Sequence, residues 1–132
     1  DLFELSKLPE DLEQAYTGYT KEGIHPDASS NTKAPVIRRA FHYGGATVLL
    51  QEEGSKNGSS HFTKEFVNEN IGGYPAVFNS YRSKDNKQLD ELEWNTDTHR
   101  YTLESISNKP TEEVRKQLIE IAKRVTELNK TK

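Results

Sequence analysis

The 132-residue sequence has no cysteine, no methionine, five prolines and a single tryptophan. Without cysteine there can be no disulfide framework and no thiolate metal site. Compartment stays open, because cytosolic chains and extracellular domains of bacteria that make few disulfides can both lack it. No apolar run approaches the length of a membrane span, and no stretch has the shape of a signal-peptide core. With no methionine present, Asp1 is expected not to be a native start, and a removed leader or a longer parent protein is expected upstream. Neither sign of charge dominates: 18 basic residues face 21 acidic ones, for a net charge of −3. That balance argues against nucleic acid as the main partner and against a chain held open by self-repulsion. Hydrophobic residues make up only 32% of the chain. The expectation is one thinly cored domain over residues 1–132, with long polar loops. There is no repeat at a fixed period and no low-complexity tract.

The strongest periodic signal is TEEVRKQLIEIAKRVTELN, from Thr111 to Asn129. Val114, Leu118, Ile121, Ala122, Val125 and Leu128 recur at helical spacing and form one apolar stripe against a charged opposite face. Pro110 stops the preceding strand, Thr111 is expected to cap with its hydroxyl, and Glu112 and Glu113 suit the positive end of the helix dipole. Lys123, Arg124 and Lys130 lie toward the other end. Such a helix is about 28 Å long at ~1.5 Å per residue. Alone in water it is marginal, so its stripe needs a surface to cover.

The upstream segments supply that surface. Residues 1–10 suggest a short helical turn ended by Pro9, and Leu12 to Thr20 alternates as a first strand, with a short helix as the alternative. Residues 21–33 form a loop. From Val36 to Tyr43, Val36, Arg38, Ala40 and His42 share one face, and Ile37, Arg39, Phe41 and Tyr43 the other. Gly44-Gly45 turns the chain into ATVLLQEE. After the loop at 54–60, Phe62, Lys64, Phe66 and Asn68 read as a strand row. Gly72-Gly73 turns into YPAVFNSYR. In LDELEWN, Leu92 and Trp94 share a face opposite Glu91 and Glu93. RYTLESIS returns with Tyr101 and Leu103 inward, in register with Trp94 and Leu92. Tight turns force antiparallel pairing. The predicted fold is α+β: an antiparallel sheet of six or seven strands with the C-terminal helix packed on one face and Trp94 beneath it.

Few residues point to chemistry. His25, His42, His61 and His99 lack the spacing of a metal site. Ser59-Ser60-His61 is not a triad, and no nucleophile elbow is present. GSKNGSS and IGG lack the ending and context of a phosphate cradle. Asp90, Glu91, Glu93 and Glu104 are the carboxylates a hydrolase would use, but on a hairpin they read as outward solvated charges. Arg38-Arg39 and Lys123-Arg124 read likewise as solvated pairs. Two Asn-x-Ser/Thr triplets occur at chance level. No cofactor is called for. Tyrosines are the better clue: six of them outnumber five phenylalanines. Tyr16, Tyr19, Tyr43 and Tyr81 are the candidate partner-binding residues, on a sheet face the helix leaves open. As half-buried rim residues they would need no partner.

Gly73-Tyr74, Leu92-Glu93-Trp94, Tyr101-Thr102-Leu103, Thr111-Glu112-Glu113-Val114 and Ile121-Ala122 occur in that order, after LPED at 8–11 and a central strand ending VLLQEE. This arrangement resembles a family of bacterial extracytoplasmic domains of unknown function, found in membrane-anchored, anti-sigma-factor-like proteins and lipoproteins of Gram-positive bacteria. The resemblance implies a cell-surface location with a tether upstream of Asp1, and a protein or cell-envelope ligand as partner. It brings no catalytic residues. The expected role is therefore a non-catalytic binding or sensing module. A small-molecule or lipid carrier, its strands curved at the glycine pairs, is the first alternative, and a hydrolase working through surface carboxylates the second.

Overall fold

The computed structural model describes residues 6–14, 16–22, 36–43, 45–54, 64–85 and 87–130, with the backbone alone for 13–14, 16–22 and 64. Within these residues seven strands form a single antiparallel sheet: β1 (Tyr16–Glu22), β2 (Val36–Tyr43), β3 (Ala46–Gly54), β4 (Glu69–Ile71), β5 (Tyr74–Arg82), β6 (Gln88–Asn95) and β7 (His99–Ser107). Their order across the sheet is β1-β2-β3-β7-β6-β5-β4. Two meanders, β1 to β3 and β4 to β7, thus join where β3 meets β7. A short helix α1 (Glu10–Gln14) precedes the sheet, and α2 (Thr111–Leu128) follows it.

Alternation along the strands decides which side chains meet the helix. Ala46, Val48 and Leu50 of β3, Phe78 of β5, Leu92 and Trp94 of β6, and Tyr101 and Leu103 of β7 all point inward. They pack against Val114, Leu118, Ile121, Ala122 and Val125 of α2. The register matches the expectation, with Trp94 opposite Tyr101 and Leu92 opposite Leu103. Trp94 is fully buried, stacks on Tyr101 at 4.8 Å between centroids, and donates its indole N–H to Thr126 Oγ1 on the helix. Leu128, read as part of the stripe, instead stands 48% exposed in the last turn.

The helix start differs from the expected cap. Pro110 occupies the N-cap, with φ −55° and ψ 140°, and no side chain caps the first turn. The Pro110 carbonyl instead accepts from the amides of Glu113 and Val114. Thr111 is therefore the first helical residue. At the other end Asn129 replaces a glycine cap. Its side-chain amide donates to the Val125 carbonyl at 2.7 Å and to the Lys7 carbonyl at 2.9 Å, and its Oδ1 accepts from the Lys7 amide at 2.8 Å. This ties the N-terminal segment to the end of α2.

Residues 1–5 of the helical turn expected before Pro9 lie outside the described residues. Two strand expectations give way in part to helical turns. Strand β1 begins only at Tyr16, because the segment from Leu12 opens inside α1, at the turn that Pro9 starts. Its carbonyl accepts from the Leu12 amide at 3.0 Å, and a proline's fixed φ suits a helix entrance. Lys64–Phe66 is a 3-10 turn, and Phe66 is 66% exposed. Asn68 is responsible. Its side chain bonds both the amide and the carbonyl of Phe78, taking a ladder position that a strand backbone would fill. Phe62 lies outside the described residues, as do His25, His61 and Gly44. Where glycine is needed it is placed accordingly: Gly45, Gly72 and Gly73 have φ of 77°, 60° and 97° at the hairpin turns.

Candidate functional site

The sheet face away from α2 is read off the same register. At one end a row crosses four strands: Thr47 of β3, Ile106 of β7, Leu89 of β6 and Tyr81 of β5. Ile106 is 48% and Tyr81 50% exposed, and no helix lies over them among the described residues. Two residues further along the strands the row reads Leu49, Glu104, Glu91 and Asn79. Two further on it reads Gln51, Thr102, Glu93 and Val77. Bare apolar side chains thus sit beside three carboxylates. Glu91 and Glu104 are directly opposed across β6 and β7, an arrangement that disfavours two charges. Partial burial, then the neighbouring Glu93 and Glu104, push the Glu91 carboxyl up to about 7. Among the described residues, the charged groups acting on it are both carboxylates.

The predicted tyrosines divide. Tyr81 stands on this open face, paired with Leu89. Tyr43 is on the helix side, packed against the core, and its hydroxyl donates to Asp11 at 3.1 Å. Burial first and Asp11 next raise its phenol above the ordinary value. Tyr16 and Tyr19 lie on β1, opposite Phe41 and Arg39 of β2, and their side chains are outside the described residues. Leu89 and Ile106 were not singled out by sequence, although the register predicted for Trp94 and Tyr101 places them side by side.

The four carboxylates divide as well. Asp90 is not a solvated charge: it shares the inward face with Leu92 and Trp94, is fully buried, and accepts from Gln88 at 2.7 Å. The period of two that puts Leu92 inward does the same to Asp90. Arg39 also departs from its expectation. It points inward, 6% exposed, and pairs with the fully buried Glu52. Glu52 also accepts from the Ser6 amide at 3.0 Å, and the Ser6 hydroxyl bonds that of Tyr101. Burial raises the Tyr101 phenol to about 12. His99 opens β7 and stacks on Tyr101. Its Nε2 lies 4.0 Å from Glu52. This cluster closes one end of the core beneath the N-terminal segment.

Two clefts flank α2. One, lined by Tyr74, Asp97, Thr98, Tyr101, Thr126 and Lys130 among others, has room for about one water at ≈ 10 Å³. The other, about 370 Å³ and open, is lined by Arg82, Gln88, Asn108, Lys109, Pro110 and Thr111. Among the described residues no group of three His, Asp or Glu is placed to hold a metal ion, and no helix is long and apolar enough to cross a membrane. No protein-family model, curated protein or solved structure matches this chain.

Proposed function

We propose that this chain is a non-catalytic binding or sensing module, the extracytoplasmic part of a membrane-anchored bacterial protein, and that it binds through the outer sheet face. The observation that carries the binding role is the exposed pair Ile106 and Tyr81, aligned with Leu89 on a face with no helix over it among the described residues. Apolar side chains of this size, gathered in one row, favour a partner that removes them from water. The extracytoplasmic placement rests on the sequence resemblance. The polar lining of both clefts supports this reading over a lipid carrier.

The test is site-specific photo-crosslinking of the full gene product in its host. Cross-linkers at positions 81 and 106 should capture the same partner, while one at the exposed Glu120 of α2 should not. Capture only from Glu120, or none from either sheet position, would overturn the binding face. Protease treatment of intact cells tests location, because a cytoplasmic domain would survive it.

A second reading has one observation in its favour. The Glu91 carboxyl is pushed up to about 7, into the range where a general acid works at neutral pH. Against it, both clefts described above lie elsewhere, and Asp90 faces away from Glu91 and Glu93. If a Glu91→Gln and Glu93→Gln double variant kept any turnover found for the domain, hydrolysis through these carboxylates would be ruled out.

A further inference from the structure

We infer that the exposed end of the outer sheet face docks a cationic segment of a partner protein, one that presents lysine or arginine side chains beside apolar ones. This rests on the reading of that face as the docking surface.

Spacing supplies the first argument. The apolar row through Tyr81, Leu89 and Ile106 and the acidic row through Glu91 and Glu104 lie two residues apart along the strands, or ~7 Å. A segment with an apolar side chain over Leu89 therefore has its next same-side residue above Glu91. The apolar row itself crosses three strands at ~4.8 Å each, enough for more than one partner side chain.

Charge supplies the second. Opposite Glu91, β5 sets the uncharged Asn79 and β7 sets Glu104, while β6 itself adds Glu93. Among the described residues, Arg100 and Arg38 on this face lie further out and are already engaged, Arg100 with Glu53 and Arg38 with Gln51. The exposed His42 stands beyond Thr47, at the far end of the apolar row. The fold thus holds a concentrated negative spot against bare apolar side chains. A neutral apolar partner would bury those carboxylates unpaired, and an acidic partner or anionic lipid surface would add like charge. A lysine or arginine beside an apolar anchor relieves the repulsion while the anchor covers Ile106 and Tyr81.

The experiment titrates the isotope-labelled chain with three synthetic peptides that share leucine positions and differ in carrying lysine, glutamine or glutamate between them, with a chelator present. Two exposed ion pairs predict that the lysine peptide binds about tenfold more tightly than the glutamine peptide. It should perturb the amides of residues 81, 89, 91, 104 and 106. Glu91→Gln with Glu104→Gln should abolish that preference and leave binding of the glutamine peptide intact. Lowering the pH from about 8 to about 5.5 should weaken the lysine peptide selectively, because Glu91 then loses its charge. Equal binding of all three peptides at this face would overturn the cationic inference and leave the docking face standing. Perturbations confined to other surfaces, or binding unaffected by Tyr81→Ser with Ile106→Ser in a protein whose spectrum remains dispersed, would overturn both.

Discussion

The indole N–H of Trp94 donates to the hydroxyl of Thr126 at 2.8 Å, and both residues are all but removed from water. One hydrogen bond therefore joins the middle of the sheet to the last turns of α2, inside the core. Thr126→Val keeps the volume and removes the acceptor, leaving a buried donor unpaired. It should cost ~1–3 kcal/mol in urea unfolding. Trp94→Ala should cost ~3–5 kcal/mol, since a large side chain leaves a cavity. In a Trp94→Phe background the Thr126→Val cost should largely disappear. A Thr126→Val variant as stable as the parent would show that the bond contributes nothing.

Arg39 and Glu52 form an ion pair closed off beneath Ser6, whose carbonyl accepts from the Arg39 guanidinium. Breaking such a pair from one side leaves a buried charge alone, so Arg39→Met should cost ~3–5 kcal/mol. Replacing both, as Arg39→Met with Glu52→Leu, should recover most of that loss, less what Ser6 forfeits. Thermal unfolding of the two singles and the double measures the coupling. Additive losses would mean that the pair acts as two independent polar groups.

How much of this was legible in the chain follows from which forces are local. The hairpin of β6 and β7 was readable because alternation and a short turn leave one register, and that register put Trp94 on Tyr101. The same rule contained the opposition of Glu91 and Glu104 and the burial of Asp90, which composition had disguised as solvated charge. Alternation put Arg39 on the face of Phe41, but its charge argued for solvent, and the cover that Ser6 provides comes from 33 residues away. Asn68 defeated the strand expectation for a similar reason: its side chain competes for backbone groups of Phe78 on another strand. The cap of α2 was misplaced by one residue, on Thr111, because Pro110 before it already has the geometry that opens the helix.

Arg124 forks onto both oxygens of Asp11, at 2.6 and 3.0 Å, and so pins α1 to α2. The guanidinium holds the Asp11 carboxyl below its ordinary value of 3.8. A depressed pKa contributes stability that is present above 3.8 and lost as pH falls through the lowered value. The pair is largely exposed, so the contribution is at most ~1 kcal/mol. Asp11→Asn should therefore lower the midpoint slightly at neutral pH and match the parent in strong acid. A difference that persists in strong acid would assign the effect to packing.

Glu91 has the opposite sign. Its carboxyl is raised from 4.5 to about 7 by partial burial and by Glu93 and Glu104, so the folded chain holds this proton more tightly than the unfolded one. That preference stabilises the fold fully below 4.5 and is lost as pH rises through about 7. Above that, the ionised side chain is a cost. The side chain is half-buried and keeps contact with solvent, which screens the repulsion and reduces the effect to ~1 kcal/mol. Glu91→Gln, which keeps the shape and never ionises, should raise the midpoint by about 3 °C at pH about 8 and by nothing near pH 4. Glu104→Gln should reproduce part of this gain by removing the opposed charge, and the two gains should not add, because each relieves the same repulsion. Midpoints recorded at both pH values for the two singles and the double test this. An effect of Glu91→Gln that does not change with pH would mean that the carboxylates opposed across β6 and β7 do not sense each other.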